Sequence, residues 1–332
     1  MTVRPINLLV CSFMGLALVV TVSCSSNPDT VDRTEFDSSV DIADTASVDF
    51  PPEQLPVDPL SEDAGLDSGK AAAIEALVSR SEAQFGMEVG VAYLDLSHPD
   101  ADGARFEING YRSQVSASMI KLLILSEFAR QVDAGTIGLD DRYVLQRSDI
   151  VGGTGSLQSR GAGASITYAE LAEKMIAESD NVATNVLIDR LGMDAINGES
   201  QRLGLSETRL NRKMMDVAAV SSGVENYMSA VDAMHILKLI YQNDLASPAL
   251  NKLALDALNG QTDNRGIRDG LPEGMTFAHK TGTLSAVQND GGIAGGDRPF
   301  ILVVFCQSKA GSINAQAAFS LMENIANIIG AK

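Results

Sequence analysis

Tryptophan is absent from this 332-residue chain, and cysteine and histidine occur only three times each. Three cysteines cannot build a disulfide framework, and no Cys-x-x-Cys pair or Cys/His cluster suggests a metal site. His98, His235 and His279 are scattered along the chain. Any hydrolytic chemistry is therefore left to metal-free residues, and no cofactor is expected. Positive charge is scarce too: 25 Lys and Arg stand against 43 Asp and Glu, for a net charge of −18 at pH 7. That balance argues against nucleic acid as a partner and against an electrostatic hold on an anionic membrane surface. No internal repeat period appears. What remains is ordinary: 45% hydrophobic and 20% charged residues, enough for one large domain or two small ones.

The first 24 residues read as a targeting segment. Leu8 to Val22 is an apolar run broken only by Cys11, Ser12, Gly15 and Thr21. It is short for a membrane span and long enough for the core of an export signal. It ends in Thr21-Val22-Ser23-Cys24, similar to a bacterial lipobox, in which Cys24 becomes the lipidated new N-terminus. Plain secretion with cleavage nearby is the other reading. Residues 25–69 then carry nine Asp and three Glu against one Arg. Pro28, Pro51, Pro52, Pro56 and Pro59 interrupt them, and no apolar period develops. Such a composition buries too little surface to offset the entropy of ordering. It predicts a disordered acidic linker, with a calcium- or wall-binding arm as the alternative.

Residues 70–332 form the globular part. Ala71 to Phe85 has helical spacing, and Val89 to Leu96 and Arg105 to Ile108 read as strands. From about Ser118 to Leu258 the signals are mostly helical, with Thr167 to Glu170 as a capping box. Thr276 to Ala278, Gly292 to Ala294 and Phe300 to Cys306 read as strands again, and Asn314 to Ile329 as a closing helix. Strand signal at both ends predicts one antiparallel sheet covered by the terminal helices, with a helical lobe between. The sheet lobe is expected over about 70–112 and 265–332, and the helical lobe over about 113–264. The lone thiol of Cys306, in a strand run, reads as core.

Three short motifs carry the chemistry. Ser118-Met119-Ile120-Lys121 opens an apolar run, and one helical turn puts Ser118 and Lys121 on one face. A buried lysine holds its proton poorly, and the neutral amine can take the proton of a serine. Alone, the motif equally fits a helix start with a snorkelling lysine. Ser179-Asp180-Asn181 joins two helical runs, and a helix cap is its plain reading. Lys280-Thr281-Gly282-Thr283 follows a strand and could be merely its end.

Ser-x-x-Lys, then Ser-Asp-Asn, then Lys-Thr-Gly, in this order and spacing, resembles the penicillin-recognising serine hydrolases, and the class A β-lactamases in particular. Gly152-Gly153-Thr154-Gly155-Ser156-Leu157-Gln158 and Gly270-Leu271-Pro272 are similar to that family as well. The resemblance covers most of residues 70–332. It implies the class A β-lactamase-like α+β fold: an antiparallel sheet flanked by helices, plus a mostly helical lobe. It implies Ser118 as the acylated nucleophile and Lys121 as the amine that moves its proton. Ser179 would relay a proton to the leaving nitrogen, and Asn181 would bind the substrate's amide side chain. Lys280 would supply positive potential, and Thr281 and Thr283, around Gly282, would take the substrate carboxylate. The backbone N–H groups of Ser118 and Thr283 would form the oxyanion hole. Asp180 is expected to orient its loop, and Arg265 and Arg268 are candidates for the family's carboxylate-binding arginine.

The resemblance breaks at the base that releases the acyl group. Thr208-Arg209-Leu210-Asn211-Arg212 aligns with the stretch just before the family's Glu, which places Met214 where that Glu belongs. A thioether cannot deprotonate water. Asp216, two positions on, and Glu207, under a different alignment, are the substitutes on offer. The expected activity is hydrolysis of a β-lactam amide through acylation at Ser118, with slow deacylation. The alternatives are a penicillin-binding-protein-like peptidase or esterase acting on peptidoglycan-like peptides, and a protein that traps or binds acyl donors without turnover. A monomer held at the bacterial cell envelope by a lipid on Cys24 is expected.

Overall fold

The computed structural model describes residues 65–331. The export segment, Cys24 and the linker through residue 64 lie outside the described residues. Helix α1 (Ser68–Phe85) starts earlier than its apolar spacing predicts, because the Asp67 carboxylate accepts the Gly69 and Lys70 N–H groups and so fixes the first turn. Next come β1 (Met87–Asp95), β2 (Arg105–Ile108) and the short β3 (Gln114–Val115). A 3-10 turn, Ala117–Ile120, leads straight into α2 (Lys121–Asp133). The middle of the chain holds β4 (Arg142–Val144), α3 (Leu157–Arg160), β5 (Ser165–Thr167), α4 (Tyr168–Ala177), α5 (Asn181–Leu191) and α6 (Met193–Arg202). It continues with α7 (Val217–Ser221), β6 (Tyr227–Met228), α8 (Ala230–Tyr241), α9 (Pro248–Asn259) and α10 (Ile267–Gly270). The end is β7 (Phe277–Leu284), β8 (Val287–Ala294), β9 (Phe300–Ser308) and α11 (Ala315–Gly330).

Five strands make one antiparallel sheet in the order β2-β1-β9-β8-β7. The first and last strand segments of the described residues therefore meet at the β1–β9 pair, as the sequence predicts. Both faces of this sheet are covered, which is why its central strands β1 and β9 are apolar almost throughout instead of alternating. Val89, Val91, Leu302, Val304 and Cys306 pack with Leu321, Met322 and Ile325 of α11 and Ile74 and Val78 of α1. The intervening Ala92, Leu94, Ile301, Val303 and Phe305 face a larger core shared with α2, α4, α5 and α8. Helix α2 is the axis of that core: its first nine residues are all buried, including Lys121. Thr167 caps α4 through the Glu170 N–H, as the capping signal predicts. Among the described residues no helix is long and apolar enough to cross a membrane.

Cys306 is fully buried, and burial pushes its thiol up to about 12. Only the thiolate reacts with alkylating reagents. Peptide mapping after iodoacetamide treatment should find Cys306 unmodified in the folded protein and modified once it is denatured.

Candidate active site

Ser118 sits on the 3-10 turn that feeds α2. The turn is tight: Ala117 is held at φ 46, a region costly for a residue with a Cβ. Its surroundings over-determine it. The Ser116 N–H donates to the Asn226 carbonyl at 2.9 Å and the Met119 N–H to the Ser116 carbonyl at 3.0 Å. Asn289 on β8 donates its Nδ2 to the Val115 and Ser116 carbonyls. Gly282 of β7 presses on the other side: a Cβ there would lie 2.8 Å from the Ser116 oxygen. Glycine at this strand position is thus a packing requirement. Ser118 itself is half-exposed, while its neighbours in the turn are buried.

One turn on, Lys121 is wholly buried. Its Nζ donates to the Ser179 carbonyl at 2.7 Å, and lies 3.0 Å from Ser179 Oγ and 3.1 Å from Asn181 Oδ1. Burial, the neighbouring Lys280 charge and, in opposition, Asp180 set its proton affinity, and the net effect is well below the ordinary lysine range. A neutral amine suits these partners. Its two N–H groups satisfy the two carbonyl oxygens, and its lone pair is left for a hydroxyl proton.

The Ser179 to Asn181 bend is clamped from the preceding loop. Ser179 has φ 53. Its carbonyl also accepts from Thr154 Oγ1 at 2.6 Å. The Asn181 N–H donates to the Thr154 carbonyl and Asn181 Nδ2 to that of Gly152. Asp180 is fully buried, and its carboxylate accepts from the Leu157 and Ala183 N–H groups. It caps α5 and pins the 152–157 loop, a structural role as the sequence predicts. Gly155 stands so close to Asp180 that a Cβ would overlap its carboxylate.

Lys280, on β7, is the second wholly buried lysine. Its Nζ donates to the Thr281 carbonyl at 2.9 Å. Burial, opposed by the charges of Asp290 and Asp263, pulls it down to about 7. Thr281 is half-buried and Thr283 exposed, with Thr283 Oγ1 donating to Gln288 Oε1. Arg265 forms a two-pronged pair with Asp263 and lies over the Phe319 ring.

Met214 is buried, and Asn185 of α5 fixes its backbone in both directions: N–H to Oδ1 at 2.8 Å, Nδ2 to carbonyl at 3.0 Å. The two substitute carboxylates are placed elsewhere in function. Asp216 is exposed and caps α7 through the Ala219 N–H. Glu207 is half-exposed; its N–H donates to Asp232 and its carbonyl accepts from Ser113. Neither carboxylate bonds Lys121, Ser179 or Asn181. Two supporting residues escaped the sequence reading, Asn185 and Asn226, and Thr154 reads only as part of a family-like stretch. Asn226 ties the Asn211 and Arg212 N–H groups to the turn carrying Ser118. Met215 is exposed at φ 61, and a Cβ on Gly153 would touch both its sulfur and Asn181. Asparagines that hold backbone across long sequence distances leave no local signal. A separate cavity of about 360 Å³, lined in part by Arg105, Tyr111, Asp232, His235 and Lys238, contains none of the motif residues.

The close fit of β7 against the serine turn generates a prediction. In Gly282→Ala the strand and the turn must part by a few tenths of an ångström. Modification of Ser118 by a serine-reactive phosphonate, followed by intact mass, is expected to slow about tenfold or more, with the unfolding midpoint much less affected.

Comparison with known proteins agrees with this arrangement. A model of the beta-lactamase enzyme family matches residues 70–332. A beta-lactamase of Rhodobacter capsulatus is 27% identical over 233 residues, 68% of this chain and 76% of that protein. A beta-lactamase from Sphaerobacter thermophilus superposes with a TM-score of 0.71 at 30% identity, covering 79% of this chain and 96% of that one. PBP-A superposes equally well, with a TM-score of 0.71 at 28% identity over 79% of this chain and 94% of its own. A point mutant of PBP-A is known as an acyl-enzyme complex with penicillin G. The chain is a member of the beta-lactamase enzyme family.

Proposed function

We propose that this protein opens the amide of a β-lactam, or of a related acyl donor, on Ser118 and releases the acyl group slowly. The observation that carries the reading is the wholly buried Lys121, one turn after Ser118 and bonded to Ser179 and Asn181. The neutral amine takes the Ser118 proton as Oγ attacks the carbonyl carbon. The Ser118 and Thr283 N–H groups stabilise the oxyanion. The C–N bond then breaks, and the proton passes through Ser179 to the leaving nitrogen. Lys280, Thr281 and Thr283 bind the substrate carboxylate, and Asn181 its amide side chain.

Release of the ester needs a water and a base. Met214 is locked by Asn185 at the place the family resemblance assigns to that base, and its thioether accepts no proton. The acyl-enzyme therefore accumulates. The PBP-A neighbour, captured as a mutant acyl-enzyme with penicillin G, supports acylation by a β-lactam in this fold, and a peptidoglycan-like peptide is the second substrate class we propose. Export and a lipid on Cys24 would put the domain at the bacterial envelope, within reach of both.

Intact-mass analysis after mixing with penicillin should show a one-to-one adduct that persists while little substrate disappears. Ser118→Ala should show none. An unmodified wild-type protein, or consumption of many equivalents without an adduct, would overturn the reading. Met214→Glu supplies a carboxylate at the locked position and is expected to raise the deacylation rate by about 10²-fold, the low end for general-base catalysis. The pH profile of acylation follows the two lysines. The rate rises as Lys121 loses its proton, and in the free enzyme it falls again around pH 7 as Lys280 loses the charge that holds the carboxylate.

A further inference from the structure

Among the described residues, five that are not glycine hold a positive φ: Asn109, Ala117, Ser179, Met215 and Asn243. Asparagine tolerates that region. Of the other three, Ala117 and Ser179 belong to the turn and the bend that position Ser118 and Lys121. Met215 is the third, and the chemistry above gives it no task. It is 48% exposed at φ 61, so neither burial nor an easy backbone explains a long side chain there. A turn that needed only this φ would take Gly or Asn at less cost.

Both neighbours of Met215 are fixed. Asn185 bonds the N–H and the carbonyl of Met214. The Asp216 carboxylate accepts the Ala219 N–H, and its carbonyl accepts the Val220 N–H. The side chain of Met215 is thus presented from a rigid base. Gly153, at φ 90, shows where it goes: a Cβ there would lie 2.4 Å from Asn181 Nδ2 and 3.1 Å from Met215 Sδ. The thioether and the amide therefore flank one glycine. The Asn181 amide in turn meets Lys121 Nζ through Oδ1 at 3.1 Å and donates from Nδ2 to the Gly152 carbonyl at 3.2 Å. Short contacts join the exposed thioether to the buried amine one turn from Ser118.

Gly152 and Gly153 are exposed and bring no side chain over this place. What faces solvent beside Asn181 is glycine backbone and a thioether. The apolar character continues along the chain: Val217 and Val220, one turn apart on α7, are 69% and 43% exposed. From Met214 to Val224, Asp216 is the only charged residue, in a chain of net charge −18. Exposed apolar surface of this kind marks a place that meets an apolar partner. Thioethers are polarisable and make favourable contacts with aromatic rings.

We propose that Met215 is a specificity-determining residue, whose thioether forms an apolar wall beside Asn181 and selects acyl donors with an apolar, preferably aromatic, group on the amide side chain. This role rests on the acylation reading above, and it names the side chain that reading leaves open. Asn181 has two Nδ2 hydrogens. Gly152 takes one, and the other serves the carbonyl of the substrate amide. Met215 covers the group attached to that amide. A charged group would lose its water against the thioether without gaining a partner.

The test compares two penicillins that differ only in this group: penicillin G, and its formamido analogue, which keeps the amide and lacks the benzyl group. The rate of Ser118 adduct formation is followed by intact mass, and the unmutated protein should favour penicillin G. The ratio of the two rates is expected to fall about tenfold in Met215→Asn, the size of losing one buried apolar contact. It should fall by less than about threefold in Met215→Leu, which keeps the apolar volume. Asparagine suits φ 61 better than methionine does, so Met215→Asn should unfold at no lower temperature than the parent, and a lost fold cannot imitate the result. An unchanged ratio overturns the proposal. If both rates stay, Met215 does not touch the donor; if both fall together, it only shapes the loop. Faster acylation of the unmutated protein by the formamido analogue overturns it too. All three results leave the acylation reading standing. No adduct with either donor overturns that reading and this role with it.

Discussion

The constraint on which the rest of this molecule depends is a wholly buried lysine. Lys121 opens a helix whose first nine residues are all buried, and its nitrogen is met by oxygens of the Ser179 to Asn181 bend. A buried ammonium is costly unless paired. No carboxylate bonds this one, so the site favours the amine. Much of the local architecture can be read as the means of holding that bend in place. Thr154 holds the Ser179 carbonyl from outside, Asp180 caps the next helix, and Gly153 and Gly155 let the loop come close enough for both. The strain at Ser179 and Ala117 falls where two such clamps converge. Strain of this kind persists only when the surrounding structure over-determines it.

The second lysine solves a different problem with the same burial. Lys121 and Lys280 each raise the cost of a charge on the other, so a site containing both is most stable with one neutral and one charged. The asymmetry comes from the sheet. Lys280 has Asp290 and Asp263 on its side, whereas Lys121 has Asp180, whose two oxygens are already engaged by backbone N–H groups. The surroundings thereby leave Lys280 the more readily charged of the two, although both are completely buried. The division of labour lies in the surroundings of the two residues.

The order of the elements was legible in the sequence because each has a local cause. The strands of the first and last segments are β-rich and sit at the two ends, and the sheet joins them at β1 and β9. The ends of elements were less legible. Asp67 extends α1 beyond its apolar spacing. Strands β7 and β8 run several residues past their predicted parts because Lys280 to Thr283 and Gln288 to Gly291 continue the ladder as polar or small residues, closed by the Leu284–Val287 pair. The three motifs were readable as types and spacings. Their supports were not: Asn185 reaches Met214 across 29 positions, and Asn226 reaches Arg212 across 14. Such contacts exist only once the chain has folded.

The loop from Arg212 to Met215 is a frame whose backbone anchors do not depend on the side chain at position 214. Its backbone is held as firmly as that of the nucleophile. Asn226 bonds the Asn211 and Arg212 N–H groups and the Arg212 carbonyl, Glu225 pairs with the Arg212 guanidinium at 2.6 Å, and Asn185 secures both polar groups of Met214. A loop that had lost all function would have no need of three such anchors. A loop that only delivered a base would not retain them around a thioether. The anchors instead serve the serine turn, because Asn226 also accepts the Ser116 N–H through its own carbonyl. Releasing the loop would loosen the turn that presents Ser118. The chain can therefore carry an apolar side chain at position 214 while the contacts to the serine turn, made through Asn226 by residues 211 and 212, are kept.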